Sequence, residues 1–194
     1  MDLGSPTAQW GGAMQHVSTN PGAYSTQAWP QLIPNLPAWT SDVDAWGASA
    51  SSLSIAGGLI TLEDLEKGQI NHALAIAVPN TRASHWASPA QRTDGTSASP
   101  SSLPEGAHLR LDPSLNLASL HLPHLVLMMA EAAQRYGIVV RDKSANITFV
   151  AQDPTPTGTE PYLGPHGYFE GSSAARLLTQ FPWAHLQLLQ MELH

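Results

Sequence analysis

The chain contains no cysteine among its 194 residues. That excludes a disulfide framework, a thiolate nucleophile and any zinc or iron–sulfur site built on thiolates, and it leaves the redox compartment open. Charge is scarce too: charged residues make up 12%, with Lys and Arg numbering 8 against 15 Asp and Glu, for a formal net charge of −7. Affinity for nucleic acid depends on clustered cations, so this balance argues against DNA or RNA as a partner. No stretch reaches the ~18–20 continuous apolar residues of a membrane span. The start, Met1-Asp2-Leu3-Gly4-Ser5-Pro6, has neither the basic residues nor the apolar run of a signal peptide. There is no His-Glu-x-x-His, no calcium loop, no phosphate-binding glycine loop and no nucleophile elbow. His121 and His124 form the one close histidine pair, and Pro123 between them breaks the helical spacing a metal pair would use. No metal and no other cofactor is therefore expected.

Turn-forming residues are plentiful instead, with 16 Pro and 15 Gly beside many Ser and Thr, the profile of a loop-rich globular domain. Residues 1–56 show little periodicity and carry Trp10, Trp29, Trp39 and Trp46. These indoles either anchor a loop-rich segment onto the core or offer a platform for stacking on sugars. Residues 57–194 read as a β-rich core. Thr61 caps a short helix that Gly68 ends. Gly68–Pro79 reads as a strand, 80–106 as mostly polar loop, and Ala107–Leu111 as a second strand. Apolar residues recur at helical spacing over 124–136, from Leu125 through Met128, Met129, Ala132 and Ala133 to Tyr136. Ile138–Val140 and Ile147–Val150 then suggest a hairpin, followed by a short helix near 173–179 and an apolar segment, His185–Leu193, that suits strand or helix. The fold class is mainly β with a few helices (α+β), with a β-sandwich or jelly roll as the expected architecture.

One histidine stands out. Alternation along Ile70-Asn71-His72-Ala73-Leu74-Ala75-Ile76-Ala77-Val78 places His72 in the same row as Ile70, Leu74, Ile76 and Val78. An imidazole at the end of such a row needs a hydrogen-bond partner or a function, because a buried unpaired polar group costs roughly 1–3 kcal/mol. Along 107–111, His108 and Arg110 share one face. Together with Arg92, Asp94 and Glu105 they make the candidate constellation: His72 as general base, Arg92 and Arg110 lining a cleft, and Asp94 or Glu105 as acid/base partner. A buried structural network of the same residues is the competing reading.

The order Trp46-Gly47-Ala48-Ser49-Ala50, Gly57-Gly58-Leu59-Ile60, Gly68-Gln69-Ile70-Asn71-His72-Ala73-Leu74, Pro104-Glu105-Gly106, Leu109-Arg110-Leu111 and Tyr136-Gly137-Ile138-Val139-Val140-Arg141-Asp142 resembles a little-characterised bacterial family, secreted and found near carbohydrate-active modules. The likeness spans roughly residues 10–193 and implies an extracellular setting and a polysaccharide or oligosaccharide partner. Two departures stand out. Family members often carry an arginine after His-Ala-Leu where this chain has Ala75, so a substrate cation must come from Arg82, Arg92 or Arg110 or be absent. They also carry a longer region ahead of Trp10, so the sheet is expected to be missing N-terminal strands, with another chain completing or extending it. The functional expectation is a glycan hydrolase or lyase. The alternatives are a non-catalytic glycan-binding domain and a structural module of an extracellular assembly.

Overall fold

The structure is a computed structural model and describes residues 49–194. Trp10, Trp29, Trp39 and Trp46, and with them the anchor and platform readings, lie outside the described residues. The first helix, α1 (Leu62–Lys67), opens on a capping box: the Thr61 hydroxyl accepts the Asp64 N–H at 3.1 Å, and the Asp64 carboxylate accepts the Thr61 N–H at 2.8 Å. Gly68, at φ +63°, ends it in the left-handed region.

Strand β1 (Leu74–Val78) is buried at every position. Its alternate residues serve two faces. Leu74, Ile76 and Val78 join the main core, whereas Ala75 lies under the 49–58 loop, with its N–H donating to Gly58 O at 3.2 Å. The strand begins later than its apolar alternation suggests. His72 precedes it in a bend, although Ile70 is still buried.

Strand β2 (His108–Leu111) is followed by helix α2 (His124–Arg135), strands β3 (Ile138–Lys143) and β4 (Thr148–Phe149), helix α3 (Ala174–Leu178) and strand β5 (Leu186–Leu188). The sheet order is β4-β1-β3-β2-β5, with β1 and β3 parallel and the other pairs antiparallel. The apolar stripe of α2, including Leu125, Met128, Met129 and Ala132, packs with Leu74, Ile76, Ile138 and Val140 to form the core. On the other face, Leu53 and Ala90 form a smaller cluster with Trp86 and Val139.

The fold is thus a mixed five-stranded sheet with few helices. A second stacked sheet, as a sandwich or jelly roll requires, is not present among the described residues; one face carries α2 and the other carries loops. The expected hairpin is also replaced, because β3 and β4 do not pair with each other. Pro79 follows β1 at once, and Ser144 donates its N–H to Val78 O at 3.1 Å, so the chain after β3 passes the end of β1. β1, with five buried residues to place, occupies the slot beside β3, and the two-residue β4 pairs on its far side.

Two backbone features set up the site. In the parallel pair Ile76 faces Val140 and Ala77 faces Asp142, so Arg141 is the extra residue of a bulge. Gly106, at φ +85°, lets the strand holding Glu105 turn against the 87–90 loop; an added Cβ would lie 1.7 Å from Ala87 O. Gly106→Ala is therefore expected to destabilise the protein by at least ~2–3 kcal/mol in urea denaturation. Gly158→Ala, also left-handed at φ +71° but with nothing within 4 Å, should lose only ~1 kcal/mol. Equal losses would contradict the steric argument.

Candidate active site

Three carboxyl groups from separate segments converge at the C-terminal end of the parallel pair: Asp94 from the long loop, Glu105 just before β2 and Asp142 in β3. One oxygen from each lies within 4.8 Å of the other two. The backbone accounts for the convergence. Gly106 N–H donates to Val140 O at 2.7 Å, tying the Glu105 segment to β3, and Asp94 N–H donates to Glu105 Oε2 at 3.2 Å. Lys143 Nζ holds the Asp94 loop by its carbonyl at 2.8 Å and lies 3.7 Å from its carboxylate. Gly95 permits the tight turn, since a Cβ there would meet Arg82 O at 2.2 Å.

The three carboxyls differ sharply in environment. Glu105 is fully buried, and its Oε1 has no hydrogen-bond partner among the described residues. Burial pushes its carboxyl up to about 8; the negative charges of Asp94 and Asp142 add to the rise and the Thr93 hydroxyl opposes it. Asp142 is half-buried and also raised, first by burial and then by the Asp94 charge, against the N–H groups of Lys143 and Ala50 and the Arg141 charge. Asp94 has 44% of its side chain exposed, beside the Lys143 ammonium.

Cations surround this group. Arg92 Nε donates to Ala50 O at 2.7 Å, and its charge acts on both Glu105 and Asp94. Arg141 Nη1 donates to Ile55 O at 3.0 Å, and burial lowers its pKa while the Asp142 charge raises it. The carboxylate spacing suits a hard cation, the ligand type that Asp and Glu oxygens favour. Arg92, Arg141 and Lys143 work against that use. Arg92 and Lys143 stand beside the carboxyl groups, and their positive charge disfavours a divalent ion and favours an acid–base site or an anionic ligand.

Of the residues singled out from the sequence, Arg92, Asp94 and Glu105 come together here. His72, His108 and Arg110 do not join them. His72 Nε2 meets Asp64 Oδ2 at 3.1 Å and Nδ1 meets Ala73 O at 2.9 Å, so both ring nitrogens are engaged at the N-terminal side of β1. Asp142 is paired with Ala77, and at ~3.3 Å per residue His72 sits roughly 15 Å from it along the sheet. Burial opposes ionisation of Asp64, but the Thr61 hydroxyl and N–H and then His72 outweigh it and lower its pKa. His108 Nε2 meets Tyr136 O at 3.1 Å and Arg110 Nε donates to Gln134 O at 2.9 Å, both at the C-terminal end of α2. These three side chains brace helix ends. Arg82 contributes its backbone carbonyl, which accepts the Thr93 hydroxyl at 3.3 Å.

Asp142, Arg141 and Lys143 were not foreseen as site residues. Their signal is a charged triplet that interrupts the apolar strand Ile138-Val139-Val140, at the carboxyl end where ligands of parallel sheets often sit. No known protein family, no curated protein and no solved structure matches the chain.

The environment of Glu105 has a measurable consequence for stability. An unfolded glutamate titrates near 4.5 and the folded one near 8, so between these values the native state holds a proton the unfolded chain has lost. Stability from this group is complete below the lower value and declines as pH rises through the upper one. Thermal unfolding followed across that window should show the melting temperature of the wild type falling with pH, and Glu105→Gln should flatten the slope. An equally steep slope in the variant would contradict the assignment.

Proposed function

We propose that the chain is a carbohydrate-active domain, a glycan hydrolase or lyase, whose chemistry is carried by Glu105, Asp94 and Asp142 with Arg92 beside them. The observation behind this reading is a fully buried carboxyl, Glu105, set directly behind an exposed one, Asp94, that lies beside a lysine. Two like groups whose surroundings drive their pKa values apart are the usual basis of acid and base roles at neutral pH. In hydrolysis, the proton held by Glu105 passes through the Asp94–Glu105 pair to the glycosidic oxygen as the C–O bond breaks. The water that adds to the anomeric carbon returns a proton to the pair, so the site ends as it began. Asp94 is the member that meets substrate, and Arg92 balances its charge. A glycan is favoured as substrate by the family resemblance described above, which is also the sole ground for an extracellular setting.

The test is product release from a panel of neutral and acidic polysaccharides by the wild type, Glu105→Gln and Asp94→Asn, with circular dichroism to confirm folding. Each substitution should lower the rate by at least ~100-fold. Release of no product by the wild type, or a wild-type rate in folded Glu105→Gln, would overturn the reading. Glycan binding without turnover would leave a non-catalytic glycan-binding domain in its place.

A further inference from the structure

A pocket of about 130 Å³ opens on the loop-covered face of the sheet, lined by Leu53, Ser54, Gly57, Ala73 and Val139, with Arg141 as its one charged residue. That volume is close to the ~150 Å³ that accommodates a benzene molecule, the scale of one six-membered ring. The guanidinium is unusual for its setting. Arg141 is only 5% exposed, and although Nη1 donates to Ile55 O, Nε–H is buried with no acceptor among the described residues. The other polar side chain in that wall is Ser54, whose hydroxyl accepts the Ala56 N–H at 3.1 Å. The walls are otherwise apolar, which suits the C–H face of a sugar ring.

We propose that this pocket is a subsite for a sugar carboxylate, so that the domain selects glycans containing uronic acid. The ligand class rests on the glycan reading above; the anion preference rests on Arg141 itself. A carboxylate is the planar, charged acceptor that a guanidinium edge pairs with most strongly. The bulge gives the pocket its relation to the carboxyl cluster. Arg141 and Asp142 are neighbours in the chain, and the 49–55 turn binds both: Ser51 Oγ donates to Arg141 O, and Ala50 N–H donates to the Asp142 carboxylate. A ring seated against Arg141 therefore lies next to the acid–base group. Neutral hexoses offer the guanidinium only uncharged hydroxyl acceptors, whose hydrogen bonds are about half as strong.

Calorimetric titration with trigalacturonate and with its methyl ester tests this directly, because esterification removes the charge and keeps the rest of the sugar. The wild type should bind the acid at least about tenfold more tightly than the ester, a difference of ~1.4 kcal/mol. Arg141→Gln should abolish that preference, while Glu105→Gln retains it. Should Arg141→Gln fail to fold, Ala73→Leu, which fills the pocket and leaves Arg141 intact, must weaken binding of the acid. Equal binding of acid and ester, no binding of either, a preserved preference in folded Arg141→Gln, or undiminished binding of the acid by Ala73→Leu would overturn the subsite. The two proposals fail separately. Acid-selective binding without product release removes the hydrolase and keeps the subsite, whereas turnover of neutral glycans without acid preference does the reverse.

Discussion

Glu105 sits where an ionised carboxylate is least tolerable: fully buried, close to two other carboxyls, with one oxygen lacking any partner among the described residues. Three negative charges at such separation repel strongly in a low-dielectric setting, and removing one from water carries a further penalty. Retaining a proton on Glu105 relieves both at once. The remaining arrangement follows from that condition. Asp94 lies on the solvent side, its carboxylate 3.7 Å from the Lys143 ammonium, with Arg92 nearby. A buried acid behind an exposed carboxyl group is the result.

Holding these groups together is the work of the sheet and two local irregularities. The parallel pairing of β1 with β3 brings Asp142 beside the carboxyl end of β1, and the bulge inserts Arg141 between the paired residues Val140 and Asp142. A regular register would alternate the residues beyond Val140 between the two faces; the bulge resets that alternation and lets neighbours in the chain serve adjoining features, the pocket and the cluster. Gly106 performs a comparable task for Glu105. Its left-handed backbone allows close approach to Ala87, which keeps the preceding glutamate under cover. Both devices are stiff, since the bulge lies in a strand packed on α2 and the glycine in a segment bonded to it. Such stiffness suits acid–base chemistry, where small displacements of a proton donor carry large rate losses.

Much of the local structure was legible in the sequence. Helix α2 followed from the spacing of Leu125, Met128, Met129 and Ala132, helix α1 from Thr61 and Gly68, and β2 from the pattern around Leu109 and Leu111. Half of the carboxyl site was legible as well, as Asp94, Glu105 and Arg92 stand close together in the chain. What escaped was long-range. Nothing near Asp142 in the sequence indicates that β1 sits beside β3, or that an extra residue turns Arg141 toward the loop. Alternation misplaced His72 because the apolar row of β1 was extended backwards through Asn71 and Ala73, where the backbone bends and the imidazole is taken up by Asp64. His108 and Arg110 do share a face, but that face meets the end of α2, whose carbonyls need donors. A strand's facing residues can be read from its period, whereas what they face depends on sheet order.

The protonation state of Glu105 carries the account, and it can be observed without substrate. Side-chain carboxyl carbon shifts of glutamate and aspartate, followed by NMR through a pH titration and assigned with Glu105→Gln, report each group separately. Glu105 should remain protonated at neutral pH and titrate near 8. A Glu105 carbon that titrates in the ordinary range near 4.5 would contradict the account.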